Sequence, residues 1–161
     1  MATQLDPDQI KPGSVNQLLQ TIGGVVTWQD PGVGGGVATV LQICLEIDNG
    51  VDVIPTGVVK ADLPIYITGI ITSYTLLCDP AGDIVIDVWK DVYASYPPTD
   101  ADAMPGAGKE PTIAATGAQS TDSDLSDWSD QTLALGDILR FNVDSATTCT
   151  WAKLVLKVSL S

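Results

Sequence analysis

Residues 149–160 alternate between apolar and largely polar side chains over their whole length. One set of alternate positions holds Ala152, Leu154, Leu156, Val158 and Leu160, and the other holds Trp151, Lys153, Lys157 and Ser159. Period two indicates a β-strand with one buried face, because successive side chains of a strand point to opposite sides of the sheet. We expect an interior or covered strand here, since long exposed edges promote aggregation. The chain therefore needs a β-sheet with an apolar layer beneath it.

Further strand-like segments occur along the chain, separated by turn residues. In residues 38–47 the pattern predicts Leu41, Ile43, Leu45 and Ile47 on one face and Gln42, Cys44 and Glu46 on the other. Other strands are predicted at 51–54, 58–60, 66–78 with a kink at Gly69, 84–90, 138–143 and, as a minor strand, 112–115. Turns are predicted at 48–50, where Asn-Gly favours a hairpin, at 79–83, which we expect to join 66–78 and 84–90 as a hairpin, and at 144–147.

No segment has the pattern of an amphipathic helix. The predicted fold class is therefore all-β, a jelly-roll-like antiparallel β-sandwich over residues 37–161, preceded by an extended N-terminal arm. Residues 1–36 contain turn signals and no apolar face large enough to form a core alone, with prolines at 7, 12 and 31 and glycines at 34–36. We predict that this arm becomes ordered by docking on something else, and that residues 32–36 are a linker.

Charge and residue content exclude several classes of function. The chain has 20 acidic and 7 basic residues and no histidine, which gives a formal net charge of −13. An acidic surface repels nucleic-acid phosphates and anionic lipid, so we expect neither nucleic-acid binding nor membrane insertion. Without histidine, mechanisms that need an imidazole base or ligand are excluded. The apolar segment 65–78 is too short for a membrane-spanning helix.

The three cysteines, Cys44, Cys78 and Cys149, form no CxxC pair. Their odd number and wide spacing indicate buried, reduced thiols instead of a disulfide framework or a zinc site. No cofactor and no metal are predicted. The remaining classes are structure and binding, and no pair of carboxylates stands out for glycoside hydrolysis, so we predict a non-enzymatic protein.

The loops predicted at 91–131 hold the candidate ligand-binding residues. These are Trp128, Tyr93, Tyr96, Asp122, Asp124 and Asp127. Aromatic rings beside carboxylates are typical of saccharide-binding surfaces, because the ring stacks on the sugar and the acids accept hydroxyl hydrogen bonds. Three alternatives stay open: a solvated acidic loop, a calcium site, or aromatic rings that pack in the core or in a subunit contact, as we favour for Trp89. A secreted lectin-like module is a further hypothesis for the whole chain.

The N-terminal string QIKPGSVNQLLQTIGGVVTW resembles the attachment linkers of bacteriophage fibre proteins. The matching positions are Pro12, Gly13, Gln17, Leu19, Thr21, Gly23, Gly24 and Trp28. The remainder resembles a small β-domain of phage virion proteins. That likeness rests on Gly57, Asp83, Asp87, Trp89, Lys90, Tyr93, Pro97, Pro98, Trp128, Gly136, Asp137, Arg140, Phe141, Asn142 and Asp144. The chain has no long shaft, which leaves a short fibre, a head fibre or a capsid decoration protein as the expected type.

The resemblance implies a homotrimer whose arms intertwine. The contacts of the arm would involve Leu18, Leu19, Ile22, Val25 and Trp28, whose burial would contribute several kcal/mol per chain at about 25 cal/mol per Å². It further implies a virion surface protein, assembled in the host cytoplasm, which is held by a tail baseplate or major capsid protein. As a tail or head fibre it would bind host-surface saccharide. The alternative is a capsid decoration protein that stabilises the phage head.

Overall fold

The computed structural model describes residues 18–22, 25–29, 39–114 and 116–161. It divides the chain into two units, Met1–Ala38 and Thr39–Ser161. In the first unit, strand β1 (Leu18–Ile22) pairs antiparallel with strand β2 (Val25–Gln29). The predicted arm residues Leu18, Leu19, Ile22, Val25 and Trp28 lie on these two strands, but their side chains lie outside the described part of the structure. The predicted linker at 32–36 and the predicted domain boundary after residue 36 also lie outside it.

The second unit is an antiparallel β-sandwich, which confirms the predicted all-β class. Its strands are β3 (Val40–Asp48), β4 (Gly57–Pro64), β5 (Gly69–Asp79), β6 (Ile84–Val92), β7 (Thr112–Ile113), β8 (Gln119–Asp122), β9 (Thr132–Leu133), β10 (Asp137–Ala146) and β11 (Trp151–Leu160). One sheet has the order β3-β11-β5-β8, with β9 also paired to β5, and the other has the order β4-β10-β6-β7. Two single turns of 3₁₀ helix, Tyr93–Ser95 and Asp100–Asp102, follow β6.

Strand β11 lies between β3 and β5, so the prediction of an interior strand is confirmed. Its predicted inward residues Ala152, Leu154, Leu156 and Val158 are buried, and Leu160 is half-buried. On β3, Ile43 and Leu45 are buried while Leu41 is exposed, because β3 is at the edge of its sheet. The period-two pattern therefore identifies the buried face but not the degree of burial near an edge.

The predicted hairpin between residues 66–78 and 84–90 is wrong, because β5 and β6 belong to different sheets. The turn after β5 carries the chain across the sandwich, and β3 and β4 are also in different sheets despite the Asn49–Gly50 turn between them. Two consecutive amphipathic strands can bury their apolar faces by packing face to face as well as side by side. Here Ile84, Ile86 and Val88 of β6 are fully buried in the core between the sheets.

Gly69 starts β5 instead of kinking it, and its place has a packing reason. A Cβ atom at this position would lie 2.5 Å from the backbone oxygen of Ser159 on β11. The three cysteines differ in environment. Cys78 and Cys149 are buried free thiols, as predicted, whereas Cys44 is exposed on β3, so the prediction of a buried thiol is wrong for it. Among the described residues, no helix is long and apolar enough to cross a membrane.

Candidate functional site

A hollow of about 480 Å³ lies beside the first 3₁₀ turn, where the chain leaves β6. Asp62, Pro64, Tyr93, Tyr96 and Ile138 line it. The side chains of Tyr93 and Tyr96 are 76% and 52% exposed, so both rings can be reached from solvent. Two of the predicted ligand-binding residues therefore lie together at one surface hollow.

Asp62 on one wall of this hollow forms an ion pair with Arg140. The Arg140 guanidinium donates from Nε to Asp62 Oδ1 at 2.8 Å and from Nη2 to Asp62 Oδ2 at 2.5 Å. The Tyr96 hydroxyl donates to Asp62 Oδ2 at 2.6 Å, and Arg140 Cζ lies 5.2 Å from the centre of the Tyr96 ring. Paired hydrogen bonds and a cation over a ring hold the three side chains in one geometry, so the hollow has a preformed wall.

Strand geometry places these three residues side by side. On β10, Leu139 and Phe141 point into the core, so Arg140 between them points outward. The pairing of β10 with β4 shifts register between Leu139 and Phe141, and Asp62 lies in that irregular stretch of β4. The Pro98 carbonyl accepts a hydrogen bond from Arg140 Nη1 at 3.4 Å, which ties the loop after β6 to the same side chain.

The charges of the site are settled by these contacts. The hydrogen bonds from Arg140 lower the pKa of Asp62, and burial opposes them only in part. The hydrogen bond to the Asp62 carboxylate raises the pKa of the Tyr96 phenol. At neutral pH the site therefore holds a carboxylate, a guanidinium and a neutral phenol. A carboxylate with a depressed pKa is a weak proton acceptor, so this group is poorly suited to general-base chemistry and well suited to accepting hydrogen bonds.

The acidic loop that follows β8 has a different role in the structure. Asp122 accepts a hydrogen bond from the backbone N–H of Asp124 at 2.9 Å, and Asp124 accepts one from Ser126 at 3.2 Å. Asp127 forms an ion pair with Lys109 at 2.6 Å. Asp122 and Asp124 shape their own loop by local hydrogen bonds, Asp127 ties the loop to Lys109, and none of the three lines the hollow at Tyr93 and Tyr96. Within the described residues, no group of three or more acidic or cysteine side chains could hold a metal ion.

Trp128 is a core residue, which corrects its prediction as a ligand-binding ring. Its side chain is 5% exposed and stacks on Tyr74, with ring centres 6.4 Å apart and planes at 23°. Leu125, three residues earlier, is also buried. The local sequence is rich in serine and aspartate, but these two apolar residues anchor the loop in the core. Trp89 is buried too, and its indole N–H donates to Asp87 at 2.5 Å.

The structure adds Asp62 and Arg140 to the candidate site, which the sequence patterns did not select. The two residues are far apart in the chain and meet only through the pairing of β4 with β10. Arg140 carried one signal, since it is a charged residue at the centre of an apolar strand. No family model, curated protein or solved structure matches the chain.

Proposed function

We propose that this protein is a non-enzymatic component of a bacteriophage virion, a short trimeric fibre on the particle surface that binds host saccharide at the hollow of Tyr93 and Tyr96. The observation that carries the proposal is the pair of exposed tyrosine rings next to the Asp62–Arg140 ion pair. The sequence resemblance to phage fibre proteins supplies the biological setting. The trimer contact is proposed for residues 1–36, and the virion partner would be a tail baseplate or major capsid protein.

The hollow has the chemistry that saccharide binding needs. A pyranose presents apolar C–H groups on its faces and hydroxyls at its rim, so it binds where a ring face lies beside hydrogen-bonding groups. Tyr93 and Tyr96 offer the ring faces, while the Asp62 carboxylate, which Arg140 holds in place, offers hydrogen-bond acceptors at the edge. Since the wall is preformed, little side-chain freedom is lost on binding.

Binding of the full-length chain to a glycan array and to host-cell envelopes tests the saccharide proposal. One aromatic ring stacked on a ligand contributes about 1.4 kcal/mol of binding free energy. We therefore expect Tyr93→Ala to weaken saccharide binding about tenfold. Tyr66 is 81% exposed and does not line this hollow, so Tyr66→Ala is the matched control and should bind like the wild type. Equal loss in both variants, or no binding by the wild type, would reject the hollow as a saccharide site.

Electron microscopy of virions labelled with an antibody against the chain tests its place. Label at the tail or at a few capsid positions supports a fibre. Label over the whole capsid would support the decoration alternative, and no label on the particle would reject both.

A further inference from the structure

Within the described part of the chain, strand β3 is a long edge strand with no strand paired on its outer side. It has nine residues, VLQICLEID, without proline, glycine or lysine, and it pairs with β11 without any register shift. Within residues 39–161 as described, the other edge strands differ. β4 contains Lys60 and Pro64 and has an irregular register, while β7, β8 and β9 have 2, 4 and 2 residues. Long, flat edges are templates for pairing with another chain, and β3 is such an edge.

The backbone groups that point outward from β3 can be assigned. Leu160 N–H donates to Thr39 O at 2.8 Å, and Asn49 N–H donates to Thr150 O at 2.9 Å. Because the register between these two bonds is regular, odd-numbered residues of β3 bond to β11. The N–H and C=O groups of the even-numbered residues therefore point to the free edge. These residues are Val40, Gln42, Cys44, Glu46 and Asp48.

The outward groups are self-complementary about the centre of the strand. Cys44 is the middle residue of β3, so a second β3 in antiparallel orientation would place Cys44 opposite Cys44 and Gln42 opposite Glu46. All the even-numbered residues then face one another as hydrogen-bonded pairs, as an antiparallel ladder requires. The charges also fit, because Glu46 meets a neutral amide and Asp48 meets Val40 instead of another acid.

An apolar groove beside the edge gives this pairing a hydrophobic contribution. The groove of about 320 Å³ is lined by side chains that include Leu41, Ile43, Leu63, Ile65 and Tyr66. Leu41 is 41% and Tyr66 81% exposed. In the antiparallel register the second copy places Ile47 opposite Leu41 and Leu45 opposite Ile43. The side chains on the core side of one β3 would thus cover the groove of the other.

We propose that the free edge of β3 is an interface between two copies of this chain, which pair antiparallel about a two-fold axis at Cys44. The pairing joins two five-stranded sheets into one continuous sheet. It uses neither the hollow at Tyr93 nor residues 1–36, so it can succeed or fail independently of the proposed saccharide binding and trimer. Because each chain carries a net charge of −13, added salt should strengthen the pairing by screening repulsion.

Cys44 is a built-in probe of this interface in the full-length chain. A short bifunctional thiol reagent should join two chains through Cys44, since this is the exposed cysteine while Cys78 and Cys149 are buried. We expect a covalent dimer in denaturing gels, with more dimer at high salt, and Cys44→Ser should abolish it. If every Cys44 is modified but each reagent molecule has reacted with one chain only, no covalent dimer forms and the proposal is overturned.

A charge substitution tests the register. Gln42→Glu places like charges opposite each other at both symmetric contacts, so the concentration for half-complete pairing in sedimentation experiments should rise about fivefold. The fold should tolerate the change, because residue 42 is exposed and lies across from Lys157 within its own sheet. Thr75→Glu adds the same charge at an exposed position of β5, which is an interior strand, and controls for net charge. Gln42→Lys should instead favour pairing through Glu46. If Gln42→Glu and Thr75→Glu change the concentration for half-complete pairing equally, or if Gln42→Glu does not change it, the proposed register is overturned.

Discussion

The Lys90 ammonium lies 2.6 Å from the Asp130 carboxylate and joins the two sheets of the sandwich. Lys90 is on β6 of the four-stranded sheet, whereas Asp130 precedes β9, which pairs with β5 in the other sheet. The same ammonium donates to the Thr132 carbonyl at 2.8 Å and lies 3.7 Å from Asp137. The Lys90 side chain is only 14% exposed and the Asp130 side chain 40%, so the ammonium is shielded from water while the carboxylate stays partly solvated.

Loss of this cation should destabilise the fold. Lys90→Met leaves Asp130, Asp137 and the Thr132 carbonyl without their shared donor, and we expect the free energy of unfolding to fall by about 2 kcal/mol. Urea unfolding measures this change. Lys109 forms a pair of equal length, 2.6 Å, with Asp127, but both side chains are about half exposed. Lys109→Met should therefore change stability little, and equal losses in the two variants would show that burial is not the deciding factor.

Acid should weaken the sandwich through Asp130 and Asp62. Burial raises the pKa of Asp130, but the hydrogen bonds from Lys90 and Thr132 outweigh it, so the pKa is below the ordinary 3.8. The hydrogen bonds from Arg140 lower the pKa of Asp62 from the same value. Because both groups bind protons more weakly in the folded state, their contribution is complete well above pH 3.8 and is lost as pH falls through the depressed folded pKa values.

Thermal unfolding between pH 7 and pH 2 measures this acid dependence. Asp130→Asn and Asp62→Asn should each be less stable than the wild type at pH 7 and should each lose less stability on acidification. An unchanged pH slope in both variants would contradict the assignment.

Substitution of Trp128 should lower the stability of the fold, whereas substitution of Tyr93 should leave the stability almost unchanged. Trp128→Ala removes a buried ring that stacks on Tyr74 and should cost about 3–5 kcal/mol of unfolding free energy. Tyr93 is mostly exposed, and Tyr93→Ala should stay within about 0.5 kcal/mol of the wild type. Chemical denaturation of the two variants is the measurement. If the Trp128→Ala protein is as stable as the wild type, the Trp128 ring is not part of the core.

The cysteines should differ in reactivity. Desolvation by burial, together with the neighbouring Cys78 thiol, raises the pKa of Cys149 to about 12, so its thiolate is scarce at pH 8. Cys78 is also buried, whereas Cys44 is exposed. A monofunctional thiol reagent should therefore modify Cys44 rapidly in the native protein and the other two only after unfolding. Rapid native modification of Cys78 or Cys149, located by peptide mapping, would contradict the core packing.

The strands could be predicted from the sequence because their signal is local. Alternation along residues 149–160 depends only on the geometry of one strand, and the structure confirms both the buried face of β11 and its interior place. The local pattern does not show which strands pair. The turn after β5 has the composition of a hairpin turn, yet the chain crosses to the other sheet there. The local pattern is the same for both routes, and only the packing of all the strands around one core selects between them.

The sequence predicts only the part of the candidate site that is local in the chain. Tyr93 and Tyr96 are close in the chain, and a loop after a strand presents them together. Asp62 is brought to Arg140 by the register of β4 on β10. The sequence around Trp128 is polar and therefore predicts an exposed ring, whereas the ring packs on Tyr74, which is distant in the chain.

The sequence by itself determined the all-β class, the buried face of β11 and the acidic charge, because these depend on residue type and a two-residue period. Only the tertiary structure decided which strands pair, that β3 lies at the edge of its sheet among the described strands, and that Asp62 meets Arg140 beside the tyrosines. Pairing and proximity arise from the joint burial of apolar faces by strands far apart in the chain, and no local pattern records which distant faces will meet.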